Sequence, residues 1–128
     1  MSTGAAAEEL ALQYLTAHGL KLVERNFRTP RGEIDIIMMD IDHLVFIEVR
    51  FRRSSKFGSA EETVNHQKQK KLLLAAQSYL QQKGLTERYA CRFDVLAVSN
   101  SGLTAATTPA RKAPETTFNW HKDAFSAY

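Results

Sequence analysis

Gly32-Glu33-Ile34-Asp35-Ile36-Ile37 and Val45-Phe46-Ile47-Glu48-Val49-Arg50 stand close together in the chain, and each sets carboxylates in a run of otherwise apolar, strand-forming residues. The runs extend over 33–39 and 44–51 and predict two strands, joined in a hairpin by the polar Asp40-Ile41-Asp42-His43. Alternation along the second puts Val45, Ile47, Val49 and Phe51 on one face, and Phe46, Glu48 and Arg50 on the other. A carboxylate on such a half-buried strand must be paired, hydrogen-bonded or bound to a metal, because an isolated buried charge is strongly unfavourable.

The rest of the chain arranges itself around that hairpin. Between Ala5 and Ala17 the residues Ala7, Leu10, Ala11, Tyr14 and Leu15 fall on one face of a helix, with Gly19 as its stop. Residues 20–28 read as a short strand, and Pro30 and Gly32 mark the turn that follows. Beyond a loop at 54–59, a helix is predicted from Ala60 to Gln82, ending at Gly84, with Val64, Leu72, Ala75, Ala76, Tyr79 and Leu80 as its buried stripe. Residues 92–98 read as a strand buried on both faces. Residues 99–117, rich in Ser, Thr, Ala and Pro, predict a long mobile loop, and Phe118, Trp120 and Phe125 dock the C-terminus back as a short strand and helical turn. Helix, three strands, helix, strand is the order of an α/β fold with a mixed sheet flanked by helices, and the hairpins exclude a pure βαβ repeat.

With 128 residues, the chain has the size of one domain, 1–128. No segment approaches the length of a membrane span and the N-terminus has no basic leader, so a cytoplasmic location is expected. Cys91 is the single cysteine, which excludes an internal disulfide, and its apolar neighbours predict an inert buried thiol. His18, His43, His66 and His121 are scattered without zinc-ligand spacing. The net charge is +3, weak by itself as a sign of a nucleic-acid partner. Its distribution says more, because Arg50, Arg52, Arg53 and Lys56 follow the second carboxylate run directly, and Lys68, Lys70 and Lys71 open the next helix. These form either a solvated basic face or a phosphate-binding surface.

Asp35, Glu48 and Arg50 together have the chemistry of a phosphodiester-cleaving centre. Hydrolysis there needs a nucleophile at neutral pH and stabilisation of charge on the phosphoryl oxygens, and a divalent ion supplies both. Magnesium takes hard oxygen ligands, commonly one or two carboxylates completed by water and substrate phosphate. Asp35 and Glu48 on adjacent antiparallel strands meet that need, with Arg50 on the same face as Glu48. The competing reading is a self-satisfied ion network of Asp35, Glu48 and Arg50 with no metal, and from these residues alone the two stand level.

The chain resembles the PD-(D/E)xK nuclease superfamily, and more closely the YraN family of small bacterial endonuclease-like proteins. The resemblance rests on Gly4, Ala7-Glu8 and Tyr14-Leu15, then Arg25-Asn26-Phe27-Arg28, Gly32-Glu33-Ile34-Asp35, Phe46-Ile47-Glu48-Val49-Arg50, Lys68-Gln69 and Arg92-Phe93-Asp94-Val95. It implies a restriction-endonuclease-like αβββαβ core and a site binding Mg2+ or Mn2+ through Asp35, Glu48 and the main-chain carbonyl of Val49. It also implies that Glu8 supports the metal from the first helix. Lys68 and Gln77 would assist phosphate or water placement. Glu33 at the strand start reads first as an exposed edge carboxylate paired with Arg31 or Arg28, and second as an accessory acid. DNA is the implied partner, in a branched, flapped or damaged form. A catalytically inactive nucleic-acid-binding or adaptor module on the same scaffold is the alternative, and a homodimer on two-fold symmetric DNA would suit so small a footprint. The chain departs from the superfamily motif at Arg50, which stands where that motif has lysine. Arginine stays protonated, so it can stabilise charge on a phosphate and cannot act as a base.

Overall fold

A computed structural model describes residues 3–52, 64–100 and 116–125 of the chain. It contains helix α1 (Thr3–Ala17), strands β1 (Lys21–Thr29), β2 (Gly32–Asp40) and β3 (His43–Arg52), helix α2 (His66–Lys83), and strands β4 (Ala90–Asn100) and β5 (Thr116–Phe125). The five strands form one mixed sheet in the order β1-β2-β3-β4-β5. All neighbours are antiparallel except β3 and β4, which run parallel on either side of the α2 crossover. This is the arrangement of a restriction-endonuclease-like core, extended by β5.

The helices cover opposite faces of the sheet, and the alternation of the central strands explains why. On one face Ala11 and Leu15 of α1 pack on Ile36, Met38, Val45, Ile47, Leu96 and Val98. On the other, Leu72, Ala75, Ala76 and Tyr79 of α2 pack on Phe27, Ile37, Leu44, Phe46, Phe93 and Val95. Residues 44–48 of β3 are buried on both faces, which makes β3 the centre of the molecule. Glu48 is therefore a charge in the most enclosed strand.

Four local details differ from the sequence-based expectation. Helix α2 spans His66–Lys83, with Val64 and Asn65 outside it, because Asn65 stands in extended backbone and its side chain accepts the Lys68 N–H as an N-cap; the expected helix at 60–63 and loop at 54–59 lie outside the described residues. At the other end Gly84 takes φ 68°, the left-handed cap that glycine favours. The C-terminal segment is a full ten-residue edge strand, with no helical turn within Thr116–Phe125. The expected loop at 99–117 correspondingly gives up its ends to β4 and β5, and 101–115 lies outside the described residues. Cys91 is exposed, since the enclosed part of β4 begins only at Phe93.

Gly32 fixes how closely α2 approaches β2. A Cβ on Gly32 would stand 2.6 Å from the Lys71 carbonyl oxygen, so the helix backbone rests directly on the start of the strand. That seat brings the first turns of α2 over the carboxylates of the hairpin.

Candidate functional site

The β2–β3 ladder runs from Asp40 opposite His43 to Ile36 opposite Ile47. At the next position the pattern changes. The Val49 N–H donates to Asp35 Oδ2 at 2.9 Å, so a side-chain carboxylate takes over at the edge of the ladder. Strand β3 meanwhile stays in register with β4 as far as Arg52 opposite Ser99. Asp35 and Glu48 are thus held side by side where two strands begin to part, and both belong to the sheet rather than to loops.

Around this pair the structure gathers groups from three further places. Lys68 of α2 puts Nζ 3.7 Å from Glu48 Oε2, and Arg50 puts Nε 3.8 Å from the same oxygen. Both distances exceed hydrogen-bond length, so the ion pairs are loose. The Glu48 side chain is only 10% exposed, against 36% for Lys68 and 32% for Arg50. Glu8 approaches Asp35 from the α1 side.

The electrostatics follow from that geometry. Burial pushes the Glu48 carboxyl up to about 7, the neighbouring Asp35 charge adds to the rise, and Lys68 and Arg50 only partly offset it. Asp35 is also raised, first by burial, while the Val49 N–H and Lys68 pull the other way. Glu8 is raised by burial and then by Asp35, with Arg25 opposing. An enclosed and a half-buried carboxyl are therefore hydrogen-bonded to each other with too little positive charge nearby to hold both ionised at their ordinary pKa. Among the described residues no three His, Cys, Asp or Glu side chains form a complete metal cage. Two hard oxygen donors still fit magnesium, which rarely takes an all-protein shell.

The remaining residues singled out from sequence separate into near and far. Glu33 is exposed and stands opposite Arg28 in the β1–β2 register, yet its charge contributes to raising both Asp35 and Glu8. Val49 is present through its N–H. Arg52 is half-buried at the end of β3, and Arg53 and Lys56 lie outside the described residues. Lys70 and Lys71 are exposed. The helical twist turns Lys70 roughly 200° away from Lys68, so these two cannot face one groove. Gln77 is nine residues beyond Lys68, about 13 Å along the axis, and lines a different cavity.

Sequence reasoning passed over a second carboxylate centre. Asp94 of β4 is fully enclosed and receives Arg92 Nε at 3.0 Å, Trp120 Nε1 at 2.9 Å and the Asp123 N–H at 2.9 Å. Arg92 also reaches Asp40 at 2.9 Å. The signal was available in Arg92-x-Asp94, two opposite charges on one face of a strand that otherwise reads as buried.

Comparison with known proteins places this architecture. The model of the uncharacterised protein family UPF0102 matches residues 7–98. A UPF0102 protein of Pseudomonas syringae pv. tomato is 44% identical over 97% of this chain and 92% of its own length. One of Hahella chejuensis is 47% identical over 98% and 90%, and one of Stutzerimonas stutzeri 48% identical over 79% and 84%. The chain belongs to the UPF0102 family. This is the YraN family to which the sequence motifs pointed, and the matched span takes in Glu8, Asp35, Glu48, Arg50 and Lys68. Among the described residues no helix of this UPF0102 protein is long and apolar enough to cross a membrane.

Proposed function

We propose that this UPF0102 protein is a divalent-metal-dependent endonuclease that hydrolyses phosphodiester bonds in DNA, with branched or damaged DNA as the substrate class. The observation that supports it is the carboxylate pair itself. Glu48 is enclosed and Asp35 half-buried beside it, and both have raised pKa values that a bound cation would relieve. A purely structural network would be expected to pair Glu48 with a cation at hydrogen-bond length; Lys68 and Arg50 stand at 3.7 and 3.8 Å, and the side-chain hydrogen bond of Glu48 is with another acid, Asp35.

Each side chain has a role in this reading. Asp35 and Glu48 would hold Mg2+ or Mn2+ together with the Val49 carbonyl. Bound there, the ion would supply Lewis acidity and an activated water at neutral pH. Lys68 stands where an ammonium can both neutralise the scissile phosphate and orient the attacking water. It comes from α2, so it offers from another element the amine that Arg50 cannot provide. Arg50 stays charged and stabilises the anion that develops on the phosphoryl oxygens. Glu8 positions Asp35 from α1. The amino end of α2 adds positive potential on the same side.

The test is a Mg2+ or Mn2+ titration followed by backbone NMR, then a cleavage screen over branched, flapped and single-stranded DNA. The ions should shift Asp35, Glu48 and Val49, and Glu48→Ala should remove both the shifts and the cleavage. No cleavage, together with DNA binding that falls steeply with salt, would instead support the inactive binding module, for which Arg50 in the lysine position is the specific argument. Absence of both metal and DNA binding would reduce the site to an ion network.

A further inference from the structure

At the end of α2 remote from Lys68, a cavity of about 460 Å3 opens between the helix and strands β4 and β5. Its volume is that of a small-ligand site. Leu73 and Leu80 of α2 form one wall. The floor is a row of near-parallel rings, Phe46 on Phe93 at 5.4 Å and 26°, then Phe93 on Phe125 at 4.9 Å and 22°. Phe125 closes the row and is half-buried.

The charges on this lining are uneven. Arg92 borders the cavity, but its guanidinium is bound to Asp40 at 2.9 Å and Asp94 at 3.0 Å. The other formal charges on the lining are the exposed carboxylates of Glu87 and Asp123. In a chain of net charge +3, this leaves an acidic rim above an aromatic floor. A cation is attracted there by the two carboxylates, while the rings, stacked on one another, contribute apolar contact. A flat apolar body matches the ring row, whereas an anion, a nucleic-acid phosphate included, is repelled by the rim.

We infer that this cavity is a binding site for a small organic cation with a flat apolar body. The inference stands apart from the nuclease reading, because none of Asp35, Glu48, Arg50 and Lys68 lines the cavity. Cys91 does line it, is exposed, and is the chain's single cysteine, so its alkylation rate reports occupancy directly.

The experiment uses the full chain with tryptamine as probe and indole-3-propionate as its anionic counterpart. Tryptamine should slow alkylation of Cys91 and shift the amides of Tyr89, Cys91 and Phe125, and indole-3-propionate should bind about tenfold more weakly. The double variant Glu87→Gln, Asp123→Asn should bring the two affinities together. The Trp120 indole N–H resonance serves as the check that this variant folds, since that group is bonded to Asp94. Failure of millimolar tryptamine to protect Cys91, equal binding of the anion, or an unchanged preference in the folded double variant would each overturn the inference.

Discussion

Glu48 on β3 and Asp94 on β4 are both enclosed carboxylates on neighbouring strands, each with an arginine two residues away, and their surroundings could hardly differ more. Asp94 receives hydrogen bonds from Arg92, Trp120 and the Asp123 backbone, all between 2.9 and 3.2 Å. Glu48 has Lys68 and Arg50 at 3.7 and 3.8 Å and another carboxylate beside it. The contrast separates two uses of buried charge. A carboxylate that ties strands together is saturated by short donors, whereas Glu48 meets its cations only beyond hydrogen-bond length and has a second acid as its neighbour. Arginine in an adjacent position does not distinguish them; the donor geometry does.

The largest effect expected from this contrast is on stability. Asp94→Ala leaves the Trp120 and Asp123 N–H groups unpaired and Arg92 with Asp40 alone, and should cost about 3 to 5 kcal/mol. Urea denaturation measures it, and amide exchange should localise the loosening to β5. Glu48→Ala should cost far less at neutral pH, because it also removes repulsion from Asp35. If the two variants were equally destabilised, the distinction between a structural and a poised carboxylate would fail.

Much of this was legible in the sequence, for identifiable reasons. The period-two alternation at 44–51 and the helical spacing of Leu72, Ala75, Ala76 and Tyr79 fixed which residues meet, and those four are the buried residues of α2. Asp35 and Glu48 stood out because charge in an apolar strand demands an explanation. Asp94 carries the same signal, yet its donors Trp120 and Asp123, and the Asp40 that shares Arg92 with it, lie far from it in sequence and only the fold brings them together. Ala60, Glu61 and Glu62 are good helix formers and so predict an earlier helix start, whereas the cap at Asn65 is decided by one side-chain hydrogen bond that composition does not show. Cys91 sits in an apolar stretch but at the strand's open end, where composition does not reveal burial.

The next effect is a pH dependence, and its sign follows from the direction of the shift. Glu48 is raised from 4.5 to about 7, so the folded chain keeps a proton that the unfolded chain has released. Its full stability is present below about pH 4.5 and is lost as pH rises through 7. The loss amounts to about 3 kcal/mol for a shift of this size. Denaturation in chelator at pH 5 and pH 8.5 should show this decline, and Glu48→Gln should flatten it. Magnesium at pH 8.5 should restore part of the lost stability in the parent chain and none in Glu48→Gln. A decline that survives Glu48→Gln would assign it to groups other than the pair.

Gly32→Ala tests whether the two centres are independent. The new Cβ would meet the Lys71 carbonyl oxygen at 2.6 Å and its carbonyl carbon at 3.1 Å, and both are helix backbone that no rotamer change can move. Helix α2 must lift from β2, at a cost of about 2 kcal/mol. Lys68 lies one turn earlier on the same helix and should recede from Glu48. Lys68 is among the groups that hold the Glu48 pKa down, so the pH dependence should steepen even as overall stability falls. Asp94 and its donors belong to β4 and β5, on which α2 does not rest through Gly32, and the Trp120 indole resonance should stay in place. A steeper pH slope with an unmoved indole signal would mean that α2 tunes the poised carboxylate without touching the saturated one. Movement of both would make the two carboxylates one network spanning the sheet and would end the distinction between them.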